Sequence, residues 1–354
     1  TAYEISLGLV GSEMCIRDRS SAALELNAAL NVSGSGTLKT DNSTSFTLNN
    51  NALNLSGGNA ASGGVLETAG MMSLDGMTFD GKSTIKLNAD TVLISSSPVT
   101  VKTVEMGTYF LMLYNATTDL TIAGSLNINN SQGGINTGAA DLILNGPLTV
   151  LEGGIISSGG NLTFGTGAVN SSFGQQGTFM HLTDTSLVLN TNLAIPYLHL
   201  SGNTILQTNG NKITPAYLEI GISSELDFTD IITNTDTILT LAGNSSVRKT
   251  GDLVLKQIGT EGYTLTLNNA ISSLTADGIY LSAGDQSHPN YGANTGEFLA
   301  NGVNTTFNKS LWINSGKLKM GGGTLSLIQG GGMDNNSNGE LDLPNSPLSL
   351  SGPF

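Results

Sequence analysis

The sequence predicts an all-β fold, a right-handed parallel β-helix forming a single elongated rod, and three observations carry that expectation. The first is composition. The chain of 354 residues holds 46 glycines and 8 prolines, and 11% of it is charged, against about 25% in an ordinary globular domain. A hydrophobic fraction of 38% and a slightly positive mean hydropathy exclude a disordered polar chain. Ser, Thr, Asn and Gly have replaced charge, which suits short strands joined by tight turns where Gly and Asn take positive-φ positions. The second observation is a recurring apolar-x-apolar-Asn pattern. The third is its spacing, which falls mostly near multiples of a single coil-sized length, within the range of solenoid repeats.

In chain order the pattern runs Leu24-Glu25-Leu26-Asn27, Phe46-Thr47-Leu48-Asn49, Ile85-Lys86-Leu87-Asn88 and Leu126-Asn127-Ile128-Asn129. It continues as Leu142-Ile143-Leu144-Asn145, Leu187-Val188-Leu189-Asn190, Leu265-Thr266-Leu267-Asn268 and Leu311-Trp312-Ile313-Asn314. Copies without the Asn lie between them, at Leu53-Leu55, Leu120-Ile122, Leu162-Phe164, Leu198-Leu200, Leu218-Ile220, Leu239-Leu241, Leu253-Leu255 and Leu325-Leu327. Alternation over such short stretches specifies strands, and no window shows a helical period. A single coil buries its inward Leu, Ile, Val and Phe only when coils lie above and below it. Each strand then pairs in parallel with its equivalent about 4.8 Å away. Asn at the exit is expected to take the left-handed conformation and to stack its amide on the next coil. At ~22 residues per coil the chain holds roughly 15 coils and spans on the order of 70 Å. The alternative is an antiparallel β-sandwich array, which Asn-Gly pairs at Asn145, Asn209, Asn301 and Asn338 would serve as hairpin turns.

Residues 1–19 read unlike the rest, with no alternation and the chain's single cysteine, Cys15. Leu9 to Asp18 back-translates as CTC GTG GGC TCG GAG ATG TGT ATA AGA GAC, a short-read library adapter, and Thr1 to Glu4 as the end of the flow-cell primer that precedes it. The segment is therefore expected to be adapter-derived and non-native, with residues 20–354 a β-helix fragment incomplete at both ends. Without it the chain has no cysteine, hence no disulfide staple and no Cys-based metal or redox site.

The net charge of −14 becomes −13 without that segment. With no Lys/Arg cluster, neither nucleic acid nor an anionic membrane surface is an expected partner. The longest apolar run, Tyr109–Tyr114, falls far short of the roughly 20 residues of a membrane-spanning helix.

No G-x-S-x-G, P-loop or zinc pattern occurs. Asp119, Asp141, Asp184 and Asp236 are scattered, and the one local acidic group is Glu225, Asp227 and Asp230. In a strand Glu225 and Asp227 share a face and Asp230 points away, which reads as a solvated face before a carboxylate pair. His181, His199 and His288 are isolated in sequence, and alternation turns His199 outward between Leu198 and Leu200. Asp334–Asp342 begins like a calcium loop but has Asn345 at the twelfth position in place of the bidentate Glu, so a plain Asn/Gly turn is the expectation. The stretch 284–301 lacks alternation, and Tyr291, His288 and Phe298 are its candidates for contact with a glycan or protein. No catalytic, cofactor-binding or metal-binding residue is assigned, no cofactor is expected, and the chain is not expected to be an enzyme.

Stretches such as LTIAGSLNINN, LILNGPLTVLEGG and YTLTLNNAISSLTADGIYL resemble the passenger domains of autotransporters and filamentous-haemagglutinin-like bacterial adhesins. The resemblance is one of texture across most of residues 20–354, and within them no stretch resembles the membrane barrel or secretion module of those adhesins. It implies a structural or adhesive rod, extracellular at the surface of a Gram-negative bacterium, with a host or neighbouring-cell glycan or protein as partner. The alternatives from other classes are a β-helical polysaccharide-degrading enzyme and a phage tail-spike fragment.

Overall fold

The structure is a computed structural model, which describes residues 81–351 except 115–117, 175–176, 223–224, 283–295, 329–332 and 336–338. Within 23–80 it describes the strands together with Leu74, and the adapter-like residues 1–19 lie outside the described residues. All described regular elements are strands and every ladder between them is parallel. That settles the choice between the two β architectures in favour of a parallel β-solenoid of about 11 turns. The antiparallel sandwich is excluded. At Asn209-Gly210 and Asn301-Gly302 both residues do have positive φ, but the strands on either side do not pair with each other, so these turns are coil corners.

The chain divides into two compact units, Thr1–Thr178 with Ser186–Thr191, and Phe179–Thr185 with Asn192–Phe354. In the first, one ladder stacks Val65–Ser73, Thr84–Ile94, Leu126–Asn136 and Leu148–Ser158. Long strands turn a corner within themselves. Residues 84–86 pair with Thr103–Glu105, whereas residues 91–93 pair with Phe110–Leu113. A second ladder stacks Val99–Val101, Leu120–Ile122, Leu142–Leu144, Asn161–Phe164 and Ser186–Leu189. Each coil thus contributes three short paired segments. The second unit repeats the plan, with one series from Leu193–Gly202 through Ile213–Ile222, Gly251–Gly259 and Ile271–Leu281 to Asn304–Ile313. Its other ladder runs from Glu225–Asp227 to Glu340–Asp342.

The apolar pairs found in sequence fill the interior. Leu142, Leu162, Leu187, Leu198, Leu218, Leu265 and Leu311 are all fully buried. In the second unit Leu198, Leu218, Leu239, Ile258 and Ile279 stack at nearly even sequence steps, and a longer step then leads to Leu311. A similar long step separates Leu162 from Leu187 in the first unit.

The asparagine ladder is corrected. Asn88, Asn145, Asn190, Asn268 and Asn314 all lack positive φ, which falls instead at Asn170, Asp184, Asn209, Glu261, Asn301 and Asn345 among non-glycine residues. The reason is that the exit Asn still belongs to the ladder: the N–H of Asn145, Asn190, Asn268 and Asn314 donates to Ile122, Phe164, Val247 and Leu281 of the coil before, which requires an extended backbone. Several side chains that join the coils act on backbone. Asp90, Asp119 and Asp141 accept the N–H of Phe110, Asp141 and Asn161 in the first unit. Asp184, Asn192, Asn244 and Asn304 accept those of Asn203, Lys212, Thr264 and Thr324 in the second. Each satisfies a donor one coil away, at or shortly before the start of a strand. Three of the scattered aspartates are therefore structural.

Candidate functional site

Inward Leu and Ile in the second unit force their neighbours outward by alternation. Because the ladders are in register, the outward residues of successive coils form two adjacent rows. One holds Phe179, Tyr197, Tyr217, Ile238, Gln257 and Gly278. The other holds His181, His199, Glu219, Thr240, Gly259, Tyr280 and Trp312. His199 is outward as alternation requires, between the fully buried Leu198 and Leu200. What the sequence reading missed is that His181 sits beside it one coil away. The signal was present: His181, His199, Glu219 and Thr240 are separated by one coil length each.

At one end of the rows the side chains form a half-buried polar-aromatic cluster. The His181 ring lies 4.7 Å from Phe179, 5.3 Å from Tyr197 and 5.3 Å from His199, centroid to centroid. Tyr197 and Tyr217 stack at 4.9 Å and 17°. Glu219 is the hub. Its Oε2 accepts from the Tyr197 hydroxyl and lies 2.8 Å from His199 Nδ1, while Tyr217 Oη accepts from Thr240 at 2.9 Å. The hydrogen bond from His199 holds the Glu219 carboxyl below the usual carboxylate range, ahead of the opposing effect of burial. Burial lowers His181, assisted by the charge of His199, and raises Tyr197, assisted by its bond to Glu219. At neutral pH the Glu219 carboxylate is thus ionised beside a neutral Tyr197. Among the described residues no group of three or more His, Cys, Asp or Glu side chains is arranged to hold a metal ion.

Further along, the row changes character. Gly259 interrupts it, and beyond the gap Tyr280 and Trp312 stack at 5.8 Å and 13° with 38% and 41% of their surface exposed. The gap opens into a pocket of about 330 Å³ bounded also by Gln257, Glu261 and Asn314. Its size and its mix of aromatic surface with a few polar groups are those of a small-molecule site.

No family model, curated protein or solved structure matches the chain.

The residues singled out from sequence are dispersed. Glu225 and Asp227 do flank the buried Leu226 on an outer face, but Arg248 of the next coil binds both, at 3.5 and 2.7 Å. Asp230 pairs instead with Lys212 at 2.5 Å and accepts from Thr208. Two of the three acids share one arginine, the third pairs with a lysine, and the three do not converge on one point. Phe298 is corrected as a contact candidate: it is 0% exposed, a core residue of the strand Gly296–Leu299. Tyr291 and His288 lie outside the described residues, as do 336–338 of the calcium-like stretch.

Proposed function

We propose that this chain is a non-catalytic β-solenoid of a bacterial surface protein, working in attachment, with the outward rows of its second unit as the recognition surface. The observation that carries the reading is one continuous register of outward positions, from His181 to Trp312, supplied one per coil. Exposed aromatic side chains beside hydrogen-bonding groups are what recognition of another surface needs. Glu219, the one carboxylate within the row, has an oxygen engaged by Tyr197 and His199, which favours a fixed surface over acid-base turnover. A chain free of cysteine beyond residue 15 and the adhesin-like texture support display outside a Gram-negative cell.

The test is attachment of beads coated with the full chain to epithelial and to bacterial cells. The expected result is attachment that falls at least several-fold when Tyr197, Tyr217, Tyr280 and Trp312 are replaced together by Ser. Equal attachment by that variant removes the reading. Release of reducing sugar from polysaccharide by the unaltered chain, lost on Glu219→Gln, establishes the enzyme alternative in its place.

A further inference from the structure

We infer that the gap at Gly259 is a slot for one neutral hexose ring of a glycan, stacked on the free face of Tyr280. The inference deepens the attachment reading by naming its ligand class and its contact point.

Trp312 and Tyr280 occupy adjacent strands of one row with nearly parallel rings. Trp312 therefore covers one face of Tyr280, and the opposite face looks toward the coil that contributes Gly259. Glycine has no side chain, so that face has no stacking partner. The next side chain in the row is Thr240, two coils from Tyr280, at a spacing of about 9.6 Å between backbones. Less the thickness of the Tyr ring and of the Thr side chain, this leaves space for one ring.

The rim selects the kind of ring. Gln257 and Asn314 are carboxamides, each both donor and acceptor, Thr240 is a hydroxyl, and Glu261 is a carboxylate. Adjacent hydroxyls of a pyranose also donate and accept, while its axial C–H groups present an apolar face to an aromatic ring. No described hydrogen bond occupies the side chains of Gln257 or Asn314. Glu261, the nearby Glu219 and a net charge of −14 disfavour a uronic or sialic acid. A neutral hexose satisfies the face, the rim and the charge together.

Trp312 is the only tryptophan of the chain and lines the same pocket against Tyr280, so its fluorescence reports occupation of the slot through Tyr280. The full chain is titrated with gluco-, manno- and galacto-hexaoses, with oligogalacturonate as the anionic counterpart. The expected result is a saturable change with at least one neutral hexaose, with a Kd on the order of 1 mM for a single-ring contact. Gly259→Thr should abolish it. Gly259 lacks a positive φ, and an added Cβ there meets Glu261 Oε1 at 3.2 Å and Thr240 Cγ2 at 3.3 Å, so the substitution requires both side chains to give by a few tenths of an ångström and fills the gap from within. If Gly259→Thr misfolds, Tyr280→Ala removes the stacking face and keeps the reporter. Silence with all three hexaoses, a response unchanged in the variant, or a stronger response to oligogalacturonate overturns the inference. A positive titration with no bead attachment refutes attachment and leaves the slot, whereas attachment with a silent titration refutes the slot alone.

Discussion

Replacing Gly124 by Ala tests coil stacking at a point where composition and packing pull in opposite directions. An alanine in place of glycine, at a position whose backbone tolerates it, should stabilise the chain by about 0.4–1 kcal/mol through lost freedom of the unfolded state. Gly124 has no positive φ, so backbone conformation raises no objection. Packing does. A Cβ there would lie 2.7 Å from the carbonyl oxygen of Lys102, one coil away, about 0.7 Å closer than ordinary contact distance. The Gly124 N–H donates to that same oxygen at 2.6 Å. Separating the coils by that shortfall of about 0.7 Å stretches this bond past about 3.2 Å and forfeits roughly 1 kcal/mol, while crowding costs about 1–3 kcal/mol more. The net expectation is a loss of about 2 kcal/mol, or a fall of about 4–8 °C in Tm. The assay is thermal and urea unfolding followed by circular dichroism. Gly210→Ala is the paired control, with positive φ and nothing within 4 Å, and should cost about 1 kcal/mol from backbone strain alone. A neutral or stabilising Gly124→Ala would refute the reasoning.

Two further outcomes follow from other contacts. Asn244→Ala leaves the Thr264 N–H without its acceptor at 2.9 Å and should cost about 1 kcal/mol, seen as faster hydrogen exchange in the strand Thr264–Leu267; unchanged exchange there removes the capping role. Acidification should destabilise the second unit in two stages. The folded pKa of His181 lies below 6.5 because burial resists its charge, so the unfolded chain binds the extra proton and stability declines once pH falls below about 6.5. Glu219 also lies below its ordinary value of 4.5, chiefly because His199 donates to it. Its contribution is complete above 4.5 and disappears as pH falls through the folded value. His181→Gln should flatten the first stage of a Tm-against-pH curve and spare the second. A variant curve that keeps both stages assigns the first to another group.

The interior was legible in sequence because alternation with a coil-length repeat has few structural solutions. Leu142 and Leu144, or Leu265 and Leu267, announce strands whose apolar faces need neighbours, and both pairs are buried as expected. The corners were less legible. Asn145 and Asn190 stand at strand exits, but extended and laddered backbone and left-handed turn lie close together along the chain, and periodicity does not resolve that interval. Glycine was read as a conformational residue, whereas Gly124 and Gly134 face a backbone oxygen of the neighbouring coil at 2.7 and 2.8 Å without positive φ. Sequence cannot show this closeness before the register is known. The site was missed for the same reason. His181, His199 and Glu219 are isolated in the chain and become neighbours only because each interval between them, and the one onward to Thr240, spans one turn of the coil. Isolated residues in a solenoid are clusters whenever their spacing equals the coil.

The central claim is that residues from successive coils form one outward row in the second unit. It is tested most directly by the distance between spin labels at His199→Cys and Trp312→Cys, in a chain whose Cys15 is replaced by Ser. Five parallel strand-to-strand steps separate these positions, and the account predicts a single narrow distance distribution near about 24 Å, from about 4.8 Å per step. A distribution centred beyond about 35 Å, or one without a defined maximum, would mean that the strands are not stacked in this order.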